Sequence, residues 1–345
     1  MRQARLTAPK TLQWHEAPTP QPGPGELLVR VRAALTCGTD LKTYRRGHPK
    51  LAFGPFGHEA SGDIIAVGRD VTDFHAGDAI MWVQTAPCGE CERCRAGSEN
   101  LCERLLDDIA LGAYADYIVL PRKVVRRNVF RKPVGLSYIE AAFLEPLSCI
   151  VHSWNVLRRA NAERPTPQNV SIVGAGTIGL LHLLYARHVG SRTCVIARSP
   201  ERLALASKLG AEETIDASRA DAPLGPRFAA VIECAGTADA WRQALALTRA
   251  GGRTLFFSGL PSGTEVPLDA TRLHYDELTC LGAFHFTPAD VREARDLLVA
   301  GRLSLRPLIS GVVPLANLAD VFERLDRRQG FKYALIPEPA AAEWV

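Results

Sequence analysis

The sequence predicts an α/β protein in which a mostly β region is followed by a doubly wound parallel sheet. Two patterns carry that reading. From Asn169 onward, short apolar strands alternate with segments of helical spacing. "NVSIVGAG" leads into "TIGLLHLLYARHVG", "RTCVIAR" into "SPERLALASKLGA", and "FAAVIECAG" into "TADAWRQALALTRAGG". Strands that are apolar throughout and joined by helices form a parallel sheet covered on both faces. Before Ser137 the texture differs. "ELLVRVRAALTC", "SGDIIAVG", "GDAIMWV" and "AYADYIVL" are short strands punctuated by Gly and Asp, the pattern of antiparallel β structure.

The remaining segments fit around these two regions. "PTPQPGPGE" is an early loop. "SYIEAAFLEPLSCIVHSWNVLRRA" has helical spacing, with Pro146 expected to kink or restart the helix. "RTLFFSG" and "LTCLGAF" continue the parallel sheet. The helix "TPADVREARDLLVAG", the stretch "LRPLISGVVPLANLADVFERL" and a last strand "KYALI" close the chain.

A length of 345 residues is comfortable for two domains. The composition is 47% hydrophobic and 23% charged, an ordinary globular mix. The net charge of +4 is dispersed, so no nucleic-acid partner is expected. "MRQARLTAPK" has no apolar run, and no stretch reaches the roughly 18 apolar residues of a membrane span. A cytoplasmic protein is expected, where thiols stay reduced.

Gly174, Gly176 and Gly179 form G-x-G-x-x-G between a strand and a helix, with Thr177 and Ile178 opening the helix. The first glycine makes the tight turn, the second lets backbone approach a pyrophosphate, and the third lets helix pack on strand. The helix N-terminus attracts the negative charge. At the end of the next strand, an NAD site needs a carboxylate for the ribose 2′-OH. Ala197 stands there, followed by Arg198 and Ser199, with Arg202 one helical turn on. Alanine removes the repulsion of a 2′-phosphate, and a guanidinium and a hydroxyl can bind it. NADP(H) is therefore predicted over NAD(H), the alternative being that Arg198 stacks on adenine and both bind.

Cys88, Cys91, Cys94 and Cys102 have the spacing C-x2-C-x2-C-x7-C. Such thiolates can converge on one tetrahedral zinc at about 2.3 Å, a closed and therefore structural site. An iron–sulfur cluster is the rival metal site. A redox pair needs fewer cysteines, and a nucleic-acid-binding zinc ribbon would carry aromatic and basic residues that this insert lacks. Cys149, Cys194, Cys234 and Cys280 read as core residues.

A second set is dispersed: Cys37, Thr39 and Asp40 in "TCGTDLKTY", His58 and Glu59 in "FGHEASG", and Glu145 in "FLEPLSC". Taken in order with the cysteine lobe and "GAGTIG", these motifs resemble the zinc-dependent medium-chain dehydrogenase/reductase superfamily, and within it the polyol (sorbitol) and threonine dehydrogenase branch. The resemblance covers essentially the whole chain. It implies a GroES-like, mostly β catalytic domain at 1–150, with the zinc lobe at 87–103. It further implies a Rossmann domain at 151–286 and a return to the catalytic domain at 287–345.

It also implies roles. Cys37 and His58 resemble fixed ligands of a catalytic zinc, with Glu59 or Glu145 supplying a carboxylate directly or through water. Alcohol dehydrogenases use two cysteines and a histidine, and Glu145 stands where that pattern has its second cysteine. Zinc would act as a Lewis acid on the substrate oxygen while hydride passes to or from the nicotinamide. Asp40 resembles the carboxylate that orients the zinc-bound histidine. Thr39 matches the hydroxyl that takes the substrate proton and passes it outward through the cofactor ribose. Lys42 occupies the position where many relatives end that relay with histidine. It is a poor proton acceptor at neutral pH unless its pKa is depressed, and it would otherwise hold cofactor or an anionic substrate, or be solvated. Tyr44 would line the pocket or pack. Lys332 would lie near the cofactor pyrophosphate or on the surface. His152, His182 and His188 read as packing or surface residues.

The implied activity is alcohol/ketone interconversion on a small-molecule secondary alcohol, polyol or sugar by a homo-oligomer, a dimer or tetramer. The alternatives are a threonine-type or phosphorylated-polyol dehydrogenase, for which Lys42, Arg45 and Arg46 would attract the acidic group, and a nucleotide-binding structural or regulatory protein with an inactive site.

Overall fold

The computed structural model describes residues 1–48, 51–219 and 225–337. They divide into two compact units. One comprises Met1–Ser148, Phe286–Gly301 and the chain from Leu305 onward; the other comprises Cys149–His285 and Arg302–Ser304.

The first unit is built on a seven-stranded sheet. Its order is Ile309–Pro314, Lys332–Ile336, Leu27–Leu35, Glu59–Val67, Ala79–Trp82 and Val129–Arg131, with Tyr117–Leu120 also paired to Leu27–Leu35. The central strand Leu27–Leu35 buries Leu27, Val29, Val31, Ala33 and Leu35, and little of its opposite face is exposed. Register decides what meets at its end. Leu35 pairs with Glu59 on one side and with Ala334 on the other. Three strands therefore bring Thr36, Glu59 and Lys332 to one spot. Above them Tyr44, Phe56 and Tyr114 surround Phe322, which the helix Leu318–Asp326 inserts; their rings lie 5.2, 5.6 and 5.9 Å from it, centroid to centroid. Tyr44 thus packs.

The second unit is a six-stranded parallel sheet. Its order is Glu213–Asp216, Arg192–Ala197, Asn169–Val173, Phe228–Glu233, Thr248–Phe256 and Thr279–Gly282. The chain starts in the middle, winds outward on one side, then returns to wind the other way. The switch of direction falls between Asn169–Val173 and Phe228–Glu233, where open α/β sheets bind ligands at the carboxyl ends of their strands.

Several elements depart from the sequence reading. Glu213–Asp216 is a polar edge strand with no apolar run to announce it. The helix Gly38–Arg46, capped by Cys37, has no apolar run to announce it. The helix Arg122–Asn128 was equally silent. Cys280 is exposed rather than core, since its strand is the sheet edge. Of the two outcomes expected at Pro146 the helix restarts: Tyr138–Ala141, opened by a Ser137–Glu140 capping box, ends before the helix Leu144–Arg159, whose first turn holds Pro146. A proline there loses no helical hydrogen bond.

Candidate active site

Cys37 follows the central strand directly. Its Sγ accepts the Thr39 N–H at 3.4 Å, which caps the helix Gly38–Arg46. The cap puts Asp40 in the first helical turn, buried at 4% exposure. One Asp40 oxygen lies 3.0 Å from His58 Nδ1, and the other accepts the Tyr114 hydroxyl at 2.7 Å. Held at both oxygens, Asp40 fixes the imidazole. With Nδ1 engaged, Nε2 is the nitrogen free to ligate. The ligand atoms of Cys37, His58 and Glu59 all lie within 4.8 Å of one another.

Glu59 is 1% exposed and ion-paired with Lys332. Lys332 is itself buried and donates to the Thr36 carbonyl at 2.7 Å. It is thus neither a surface lysine nor placed by these contacts as a pyrophosphate ligand. Glu145, in the first turn of its helix, accepts from Gln84 Nε2 at 2.8 Å. The structure brings Glu59 into the Cys37–His58 set and leaves Glu145 just outside it, hydrogen-bonded to Gln84. Gln84 was invisible in the sequence, because a lone Gln in "WVQTAP" carries no motif. Its Oε1 is buried without a hydrogen-bond partner, an acceptor aimed where a water or a ligand hydroxyl would satisfy it.

Electrostatics show why this group suits a cation. Burial, then the nearby Glu59 carboxylate, push the Cys37 thiol up. Burial also drives Glu59 up to about 7, with Lys332 opposing and Glu145 adding to the rise. Burial alone would lower His58, but Asp40 and Cys37 outweigh it and leave it well above the ordinary histidine value. A half-buried thiol with a buried imidazole and carboxylate, crowded by a second carboxylate, is a donor set that fits a divalent zinc, whose charge would let Cys37 ionise.

Thr39 and Lys42 are both exposed on the same helix. Arg45 is committed elsewhere: it ion-pairs with Asp326, which Lys10 also holds. Beyond that helix, residues 49 and 50 lie outside the described residues.

In the cysteine lobe, Cys88 and Cys94 sulfurs are 3.9 Å apart, as are those of Cys91 and Cys102. A tetrahedron with metal–sulfur bonds of about 2.3 Å has edges of about 3.8 Å. The N–H groups of Glu90 and Cys91 point at Cys88 Sγ at 3.5 and 3.3 Å and hold that thiol below its usual pKa. The four residues form one ligand set.

In the second unit the glycine turn has the geometry a pyrophosphate needs. Gly174 has φ of 110°, and a Cβ on Gly179 would collide with the Gly174 carbonyl oxygen. The helix Thr177–His188 starts at Gly176 with no side-chain cap, and the positive end of a helix attracts an anion. Ala197 ends its strand beside Asp216, whose carboxylate is taken by Ser218 and Arg219. Arg198 is exposed, and the Arg202 guanidinium reaches over Gly176. The Ser199 hydroxyl accepts from Arg202 N as the next helix's cap, which leaves its proton to donate. His182 is a packing residue: it accepts from Trp154 Nε1 at 3.1 Å, and burial lowers it to about 3.

Comparison with known proteins agrees with this geometry. Residues 23–129 match the alcohol dehydrogenase GroES-like domain, and residues 177–300 match the zinc-binding dehydrogenase family. The sorbitol dehydrogenase of Bacillus subtilis is 31% identical over 94% of this chain and 93% of its own length. The chain belongs to the zinc-dependent medium-chain dehydrogenases. An L-threonine 3-dehydrogenase from Streptomyces avermitilis is 34% identical over 86% of this chain and 87% of its own. A zinc-binding dehydrogenase from Sinorhizobium meliloti, solved bound to NADP, superposes with a TM-score of 0.87 at 31% identity, covering 97% of this chain and 99% of that one. The fold is therefore a GroES-like domain with a Rossmann domain, and family membership makes the chain an oxidoreductase. Among the described residues no helix is long and apolar enough to cross a membrane.

Asp40→Asn should keep the fold but free the wrong face of His58. Metal affinity at the Cys37 site should fall about 10–100-fold, the range seen on removing such orienting carboxylates. Zinc retained against a competing chelator reports this, and retention equal to the parent would remove Asp40 from the site.

Proposed function

We propose that the protein interconverts a secondary alcohol of a polyol or sugar with its ketone, using NADP(H) as hydride partner. Ala197 followed by Arg198 carries the dinucleotide reading. The strand end lacks the carboxylate that would repel a 2′-phosphate, and the neighbouring Asp216 is already engaged. The NADP-bound relative supports it. The sorbitol dehydrogenase relative supports a polyol substrate, as does Glu145 in place of a second cysteine.

Zinc held by Cys37 and His58, with Glu59 or Glu145 completing the set, supplies Lewis-acid polarisation of the substrate oxygen. The chain's own residues do the rest. Asp40 holds the His58 tautomer. Lys332 neutralises Glu59 while that carboxylate faces the protein. Thr39, exposed on the first turn after Cys37, takes the substrate proton and passes it outward. Lys42, one helical turn from Thr39, is solvated and holds an anionic group when one is present. Gly174, Gly176, Thr177, Ile178 and Gly179 bind the pyrophosphate, and Arg198, Ser199 and Arg202 bind the 2′-phosphate. Hydride transfer then depends on positioning, since the cofactor carries that chemistry.

A second reading takes an amino-acid hydroxyl or a phosphorylated polyol, supported by the threonine dehydrogenase relative and by exposed Lys42 and Arg46. Arg45 contributes less because Asp326 occupies it. A substrate panel with and without carboxylate or phosphate separates the two readings. A homo-oligomer, dimer or tetramer, is part of the proposal. The edge strand Thr279–Gly282 offers unpaired backbone, with Tyr275 and Phe284 exposed nearby. Cytoplasm is the compartment in which the thiolate cage stays reduced.

Steady-state comparison should give a lower Michaelis constant for NADP(H) than for NAD(H), and Arg198→Ala should erase about tenfold of that preference, as loss of one charge-assisted contact does. A lower constant for NAD(H) in the parent would defeat the assignment. Thr39→Val should cut turnover by about 10²-fold or more, typical of a lost proton-transfer group, while zinc content stays that of the parent. Near-normal turnover would remove Thr39 from the relay.

A further inference from the structure

A cavity of about 590 Å³ opens beside the cysteine lobe, in the first unit. None of its lining residues belongs to the Cys37–His58–Glu59 set. Its lining is dominated by cations. Arg122, Lys123, Arg126 and Arg127 come from one short helix, Arg122–Asn128, and Arg292 comes from the helix Pro288–Val299.

The local charge balance makes this arrangement costly. Arg122 and Arg126, like Lys123 and Arg127, stand four residues apart on the helix, where like charges repel. The helix has no acidic residue in its first turn, so Arg122 and Lys123 sit at its positive end. Glu90, Asp107 and Asp108 also line the cavity, and the first two are spent on Arg104. Arg127 pairs with Glu99 at 3.5 Å and lies against Gly89, in the space a side chain there would fill. Lys123 donates to the carbonyls of Arg104 and Leu105, and Asp108 is the carboxylate that acts on it most strongly. Arg122, Arg126 and Arg292 have no ion-pair partner among the described residues. These unpaired guanidinium groups come from two different helices and face one concave space.

We propose that this cavity binds a small organic bisphosphate, one phosphate toward Arg122 and Arg126 and the other toward Arg292. Guanidinium forks match phosphate oxygens two at a time. The volume lies in the range of small-molecule sites, and guanidinium groups gathered around one concavity suit a compact ligand, whereas a polymer would track an extended basic stripe.

The probe is 2,3-bisphosphoglycerate, which has no free hydroxyl to be oxidised. It is titrated calorimetrically into the zinc-loaded protein, with the dinucleotide site filled by whichever of NADPH and NADH binds tighter, so that neither the glycine turn nor the substrate assignment bears on the result. One molecule per chain is expected, with affinity falling as salt is raised. Arg126→Ala combined with Arg292→Ala should weaken binding by about tenfold or more, as loss of charge-assisted contacts does, with zinc content and turnover unchanged. Inorganic phosphate should bind more weakly than the bisphosphate. Arg292→Ala alone, on an exposed helix face, should weaken binding in the same direction and serves if the double variant does not fold. Absence of binding to the parent protein, or equal affinity in the arginine variants, overturns the proposal.

Discussion

Cys37, His58 and Glu59 are held within a few ångströms of one another, His58 and Glu59 buried and Cys37 half-buried, by groups that do not themselves ligate. That confinement governs the first unit. A half-buried thiol, a buried imidazole and a buried carboxylate are unfavourable company unless charge is compensated. The fold supplies part of the compensation: Lys332 against Glu59, Asp40 and Tyr114 against His58, and the Thr39 N–H against the Cys37 sulfur. A divalent ion held there would supply the remainder. The sheet register is what makes this possible, because Leu35 lies between the strands that carry Glu59 and Lys332. A slip of one residue would turn Glu59 to the other face.

The cysteine lobe and the glycine turn solve a related problem differently. In the lobe, backbone N–H groups directed at the Cys88 sulfur favour its thiolate, while burial pushes the Cys94 thiol up to about 12. The backbone donors there stabilise the ligand sulfur itself, whereas at the turn the end of the helix Thr177–His188 carries no side-chain cap and suits an anion. The cavity lined by Arg122, Arg126 and Arg292 extends the same logic to side chains.

Much of this was legible in the sequence because local spacing encodes it. Two-residue gaps between cysteines, and a glycine triplet between strand and helix, state their geometry within a few positions. The strands around Val170, Val195 and Val231 announced themselves by apolar continuity. What stayed hidden depends on long-range pairing. Lys332 lies 273 positions from Glu59, and nothing near "FKYALI" shows that it is buried. Gln84 acquires meaning only where it meets Glu145. The helix Gly38–Arg46 depends on a cysteine acting as cap, a role that propensity assigns to Ser, Thr, Asp or Asn. Cys280 read as core because lone cysteines are usually buried, yet its exposure follows from sheet order, which composition does not reveal.

The account stands on a second metal ion outside the lobe. Elemental analysis of the parent protein and of Cys37→Ser, each also assayed for ketone reduction, tests it most directly. Two zinc ions per chain are expected in the parent, with one lost in the variant along with nearly all turnover. A parent protein with zinc only in the cysteine lobe that still reduces ketones at full rate would contradict it.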